Sequence, residues 1–196
     1  MSLQNRNHAT LLFMKQSLRE TMLQKRLALS PLQRENYARS LLQQLIALPQ
    51  VQDAFTIGLF HPIKNEPDLL EIVSLLPKKH FLLPVVHGTT MAFHTYAYHK
   101  QTFPLIKSEL QILEPKKAPL FQGPIDVLIT PALALDQAGH RLGFGKGYFD
   151  QYIKLNRPRL IIGVIYPFQW VDNLPFDDHD ENVDLVLIAN EDSNHQ

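Results

Sequence analysis

Apolar and polar positions alternate with two different periods along this chain. Leu11, Met14, Leu18 and Met22 recur at spacings of three and four, which predicts a helix over residues 10–29. Lys15, Arg19, Met22 and Arg26 recur at four, three and four on another face of the same helix. By periodicity alone, that face reads as a solvated basic surface. The sharper alternative is a grip on a polyphosphate. Residues 1–8 are polar and read as a frayed end. Ser30-Pro31 opens a second helix, with Ser30 as N-cap, Pro31 at the first position and Gln33 completing a capping box; it runs to about Leu48, before Pro49.

Strands follow. Ala54–Phe60 is a short apolar run that reads as the first buried strand, and Asp68 is placed to cap a short helix ending at Leu76. Phe81–Val86 is a second strand whose Pro84 suggests an edge or a bulge. Met91–Tyr98 alternates and reads as a strand between unlike environments. Residues 103–124 carry four prolines and read as an irregular connection. Buried strands are expected at 125–130, Leu160–Ile165 and Val183–Ala189, with two helical turns over Tyr148–Leu155. Helices alternating with such strands predict an α/β fold, a largely parallel sheet covered by helices. No repeat and no boundary interrupts the pattern, so residues 1–196 are expected to form one domain. In parallel sheets ligands bind beyond the strands' C-terminal ends. That directs attention to the loops 61–67, 131–147 and 166–180.

The central loop holds the densest chemistry. Residues 139–150 read GHRLGFGKGYFD, and four of the protein's eight glycines, Gly139, Gly143, Gly145 and Gly147, fall there. Strand, glycine loop and helix in that order make an anion cradle of inward-turned N–H groups and a helix N-terminus. Arg141 and Lys146 add two cations. The spacing is neither a Walker A loop nor G-x-G-x-x-G. A flexible surface turn is the plain alternative. Asp150 lies in the first turn of the following helix, where it suits either the helix dipole or a divalent ion held on phosphates. A second acid is available in Asp177-Asp178-His179-Asp180-Glu181, though composition alone does not choose among them.

Composition narrows the classes. Formal net charge is zero, which gives no bulk attraction to nucleic acid or membrane. The distribution is uneven: residues 1–50 hold seven Lys/Arg and two Asp/Glu, and residues 160–196 hold eight Asp/Glu and no Lys/Arg. There are no cysteines, which removes disulfides, thiolate nucleophiles and Cys-bound zinc. No apolar run approaches a membrane span, and the N-terminus lacks a signal-peptide core, so a cytoplasmic location is expected. Nine histidines are present, but none has H-E-x-x-H spacing, so a transition-metal site is not expected. No G-x-S-x-G occurs.

The stretch 131–150, PALALDQAGHRLGFGKGYFD, resembles the signature of 5-formyltetrahydrofolate cyclo-ligases, also called methenyltetrahydrofolate synthetases. Leu135 and Phe149 replace the family's usual Phe and second Tyr. Lys15-Gln16-Ser17-Leu18-Arg19 is similar to the family's K-x-x-L-R. Leu83-Pro84, Met91-Ala92-Phe93, Glu114-Pro115, Gln169, Leu174-Pro175 and His179-Asp180 are also family-like. Glu66 stands where a family motif begins, while Pro67 and Leu69 depart from it.

The resemblance implies a carbon–nitrogen ligase. ATP and Mg²⁺ would drive closure of 5-formyltetrahydrofolate to 5,10-methenyltetrahydrofolate, releasing ADP and phosphate. It implies ATP contacts from Lys15, Gln16, Ser17, Leu18, Arg19, Arg141, Leu142, Gly143, Phe144, Gly145, Lys146, Gly147, Tyr148 and Phe149. Folate contacts would come from His61, Glu66, Phe144, Gly145, Lys146, Gly147 and Tyr148. Arg141, Lys146 and Tyr148 would serve catalysis, and Asp150 and Asp180 would hold Mg²⁺. The implied fold is the three-layer α/β/α architecture of sugar-phosphate isomerases and CoA transferases. A monomer acting on small molecules is expected, with no nucleic-acid or membrane partner. Two other functions stay open at this point. One is a phosphate-binding isomerase or CoA-transferase relative on the same fold. The other is a folate-binding protein without turnover, which the departures at Pro67 and Leu69 would favour.

Overall fold

A computed structural model describes residues 3–99, 101–177 and 180–191. Residues 1 and 2 of the N-terminal stretch, and Asp178 and His179 of the acidic turn, lie outside the described residues. The chain runs α1 (Leu3–Leu27), α2 (Pro31–Ala47), α3 (Pro49–Asp53), β1 (Thr56–Gly58), α4 (Ile72–Leu75), β2 (His80–His87), β3 (Thr90–Tyr98) and β4 (Gln101–Thr102). It continues through β5 (Ile106–Lys107), β6 (Leu113–Glu114), β7 (Val127–Pro131), β8 (Ala134–Leu135), β9 (Arg141–Leu142), α5 (Tyr148–Leu155), β10 (Leu160–Ile165) and β11 (Leu185–Ile188). A single 3₁₀ turn spans Pro167–Gln169.

Seven strands form one sheet in the order β11-β10-β7-β1-β2-β3-β4. The first five pair in parallel, while β3 and β4 are antiparallel additions. Alternation in the strands divides the core. Ile57, Val127, Ile129, Ile162, Val164 and Leu187 face Leu41, Leu42 and Leu45 of α2. Leu128, Ile161 and Ile165 face the other way, onto Ile153 of α5. Each such burial stabilises by roughly 1.5–3 kcal/mol. The sheet is therefore covered on both faces, as the alternating pattern predicts.

Helix α2 starts with the expected box: Gln33 N–H donates to Ser30 Oγ at 3.2 Å, and Ser30 N–H to Gln33 Oε1 at 2.9 Å. Several local expectations need correction. Helix α1 begins at Leu3 rather than residue 10, because no Gly or Pro interrupts its polar start. Pro84 sits on an interior strand, not an edge. It is tolerated because β1 stops at Gly58, opposite Leu82, so Pro84 lies beyond the stretch paired with β1. A register irregularity between Phe81 and Leu82 supplies the bulge. Asp68 accepts from Leu70 N–H at 3.1 Å, so it makes a turn ahead of α4 rather than its N-cap. Residues 103–124 contain the β5–β6 ribbon, and the loop after β7 contains the β8–β9 hairpin. Two-residue strands leave no periodicity to read.

The parallel strands β1, β7 and β10 all end at one edge of the sheet, and the loops 61–67, 131–147 and 166–180 leave from it. Helix α1 lies over this edge. Its Met22 packs with Leu133, Ala134, Leu142 and Leu174 in a separate apolar cluster, with Leu18 and Phe144 against it.

Candidate active site

The face of α1 turned to the body of the protein is the cationic one. Lys15, Met22 and Arg26 are buried, whereas Met14 of the apolar stripe is 53% exposed. The solvated-surface reading of that face is therefore overturned. Buried cations require anionic or carbonyl partners, and each finds one. Lys15 Nζ donates to Asp180 Oδ2. Arg19 Nε donates to the Gly143 carbonyl at 3.0 Å. Arg26, with no exposed surface, donates from Nε to the Lys64 carbonyl at 2.9 Å and from Nη1 to the Ala132 carbonyl at 3.4 Å.

The glycine loop is held from beneath by Asp136. Its carboxylate accepts from the N–H groups of Ala138, His140 and Leu174 at 2.9–3.0 Å, and the His140 ring lies 2.9 Å away. Burial works against its ionisation, but the Leu174 and His140 contacts outweigh burial and hold the carboxyl below its usual range. This tie aims the β8–β9 hairpin and everything after it. Arg141, at the start of β9, donates from Nη2 to Asp150 Oδ1 at 2.6 Å. Its guanidinium stands 5.6 Å from the Phe149 ring centroid. Asp150 also accepts from Glu181 N–H at 3.4 Å, which brings it beside the segment of Asp180.

The loop backbone takes conformations that side chains resist. Gly145 has φ 91° and Gly147 φ 70°. A Cβ on Gly145 would come within 3.3 Å of the Arg19 guanidinium carbon, a tight contact that the Arg19 side chain would have to yield to. Gly147 is the N-cap of α5 and makes no side-chain cap. Lys146 is exposed beside it. Tyr148 donates its hydroxyl to the Gly88 carbonyl at 3.2 Å, tying α5 to the β2–β3 turn. Phe144 turns inward, its ring centroid 5.2 Å from the Arg26 guanidinium carbon and 5.0 Å from Lys64 Nζ.

The 61–67 loop meets the same region. Glu66 is 6% exposed and accepts from Ile63 N–H at 3.0 Å; its other oxygen lies 3.7 Å from Arg26 Nη2. Burial pushes its carboxyl up to about 7, against the opposing charge of Arg26. His61 is half-buried, with Nδ1 enclosed and without a partner, and burial holds the ring below its ordinary value. Pro67 is buried and Leu69 joins the core under α2, so the residues that depart from the family motif pack inward.

The structure thus brings Lys15, Arg19, Arg141, Asp150 and Asp180 into one network around Gly143–Gly147. It places Glu66 against Phe144 through Arg26. Leu18 and Leu142 serve the apolar cluster below. Gln16 and Ser17 are exposed, and Gln16 bonds to Glu20 of its own helix at 2.7 Å. From sequence Arg26 belonged only to the candidate polyphosphate grip, whereas the fold turns it to the 61–67 loop. Its only signal was its position on the same stripe as Lys15 and Arg19.

Among the described residues no group of three or more His, Cys, Asp or Glu is placed to bind a metal. No helix is long and apolar enough to cross a membrane.

The sequence profile of the 5-formyltetrahydrofolate cyclo-ligase family matches residues 13–189. The chain belongs to this family. It is 31% identical to the 5-formyltetrahydrofolate cyclo-ligase of Mycoplasma pneumoniae over 88% of this chain and 97% of the relative. It is 30% identical to that of Escherichia coli K12 over 84% and 94%. The solved 5,10-methenyltetrahydrofolate synthetases of Mycoplasma pneumoniae and Aquifex aeolicus superpose with TM-scores of 0.71 and 0.79 at 31% and 32% identity. The first match covers 88% of this chain and 96% of the relative, the second 89% of each. Membership assigns the chain the family's ligase activity, closure of a ring in 5-formyltetrahydrofolate.

Proposed function

We propose that this protein closes 5-formyltetrahydrofolate to 5,10-methenyltetrahydrofolate at the expense of ATP, with Mg²⁺, as a cytoplasmic monomer. The observation that carries the reading is the convergence of Lys15, Arg19 and Arg141 with Asp150 and Asp180 on the Gly143–Gly147 loop. Phosphoryl transfer needs positioning and charge neutralisation more than a protein nucleophile. The formyl oxygen attacks the γ-phosphorus, and the bond to the ADP oxygen breaks. The second folate nitrogen then attacks the activated carbon and loses its proton to solvent, and phosphate departs with the former formyl oxygen.

Lys15, Arg19, Arg141 and Lys146, with the amides of Gly143, Gly145 and Gly147, hold the phosphates. Arg141 and Lys146 neutralise the charge that develops on transfer, and Tyr148 sets the loop against the folate. Gln16, Ser17, Phe144 and Phe149 complete the nucleotide site above the apolar cluster that holds Leu18 and Leu142. His61 and Glu66 hold the pterin, and Phe144 offers it a ring face. Asp150 and Asp180 are hard oxygen donors, the type Mg²⁺ takes alongside phosphate oxygens. Bound there, the ion supplies charge neutralisation. Each acid is paired with a cation, Asp180 with Lys15 and Asp150 with Arg141, so neither charge is left uncompensated.

The test is the absorbance of methenyltetrahydrofolate formed from 5-formyltetrahydrofolate by the purified protein. Product is expected only when ATP and Mg²⁺ are both supplied. Tight folate binding with no product under any condition would instead favour a non-catalytic folate-binding protein.

A further inference from the structure

Arg26 has no exposed surface, and burial holds its guanidinium below its ordinary value, with Glu66 and Tyr166 opposing. Such a residue is costly to keep unless its charge is used. Two of its nitrogens reach the carbonyls of Lys64 and Ala132. The third, Nη2, is buried with no hydrogen-bond partner. It faces Glu66 Oε1 at 3.7 Å, beyond hydrogen-bond length. A structural anchor alone does not explain a donor left open toward a buried acid.

The loop that carries Glu66 is strained where Arg26 grips it. Lys64 and Asn65 have φ of 47° and 59°, left-handed values that side chains resist. Arg26 Nε holds the Lys64 carbonyl. Asn65 Nδ2 returns to the carbonyls of Arg26 and Leu27 at 3.4 Å, and the Tyr166 hydroxyl donates to the Asn65 carbonyl at 3.0 Å. The end of α1 and the 61–67 loop are therefore fastened in both directions. The same helix carries Lys15 and Arg19 two to three turns earlier.

We infer that Arg26 is a positioning residue of the folate site. It locks the strained 61–67 loop to the helix that carries Lys15 and Arg19 and fixes the position of the Glu66 carboxyl that meets the pterin. This rests on the assignment of Glu66 to folate. The charged and titratable groups facing Glu66 are Arg26 from α1, Lys64 in its own loop, and Tyr166 after β10. Burial pushes the Tyr166 phenol well up, so it stays neutral, and Arg26 is the strongest group favouring ionised Glu66.

The experiment is calorimetric binding of 5-formyltetrahydrofolate without ATP, from about pH 6 to 9, to wild type, E66Q, R26Q and R26K. Wild-type affinity should rise about tenfold through a midpoint near 7 as Glu66 ionises. E66Q should bind weakly with no such midpoint. R26Q should bind about tenfold or more weakly at neutral pH, with the midpoint moved upward, while affinity for a non-hydrolysable ATP analogue stays within about twofold. R26K keeps the charge and loses the fork, so its midpoint should stay near the wild-type one with affinity about three- to tenfold lower.

A folded R26Q with wild-type folate affinity at every pH overturns the inference. So does equal loss for both ligands with the midpoint unmoved, which marks a merely structural residue. If R26Q does not fold, R26K decides: affinity indistinguishable from wild type overturns the positioning role. An E66Q protein that binds folate like wild type refutes the assignment of Glu66 itself, separately from anything Arg26 does.

Discussion

Glu66 should make this protein less stable as the pH rises through neutrality. Its carboxyl is raised from 4.5 to about 7 in the folded state, chiefly by burial. The unfolded chain therefore releases this proton at a lower pH than the folded one. Stability from this group is fully present below about pH 4.5 and is lost progressively as the pH climbs through about 7. The gap between 4.5 and about 7, at 1.36 kcal/mol per pH unit, corresponds to about 3 kcal/mol. That is a large share of the stability of an ordinary domain.

The perturbation is Glu66→Gln, and the assay is urea unfolding of both proteins at several pH values. The quantity to read is the difference between them. Asp126 and Asp136, whose carboxyls are held below the usual range, lose their contributions as the pH falls. They are present in both proteins and cancel. The wild type should lose about 3 kcal/mol relative to the variant between about pH 4.5 and 8. A difference that stays constant with pH would show that Glu66 is not desolvated, and the folate-site argument built on a buried carboxylate would fall with it.

Three further outcomes follow from the site. Arg141→Ala removes a cation held 2.6 Å from Asp150, and the apparent KM for ATP should rise about 10- to 150-fold, with a much smaller change for folate; unchanged ATP dependence removes Arg141 from the phosphate site. Asp150→Asn and Asp180→Asn should each move the Mg²⁺ dependence of turnover to higher concentration, and Asp150→Asn should also cost about 1.5–3 kcal/mol of stability through Arg141; superimposable Mg²⁺ curves refute the metal assignment. Gly145→Ala places a Cβ 3.3 Å from Arg19 at a φ of 91°, and should cost about 1 kcal/mol or more in stability while raising the KM for ATP; a wild-type KM would show that Arg19 and this loop do not share the phosphates.

Much of the fold was legible because its signals are local. The capping box at Ser30, the two helical turns after Gly147 and the buried runs at 127–131 and 160–165 are each set by neighbours within a few residues. The β8–β9 hairpin was not legible. Its two-residue strands are aligned by Asp136 through a contact with Leu174, 38 residues away.

The glycine loop, with its two cations and its acid, was legible as a candidate anion site from spacing, since backbone conformation and helix polarity are local properties. The orientation of α1 is different. Periodicity favoured its apolar stripe over the basic one as the inward face. Tertiary structure turned Lys15, Met22 and Arg26 inward, because carboxylates at Asp180 and Glu66 and carbonyls at Gly143, Lys64 and Ala132 wait at the strand ends. A cation's preference for the interior depends on partners contributed from far along the chain. So the sequence by itself determined the glycine loop and its charges, and only the fold decided which helix face reaches it.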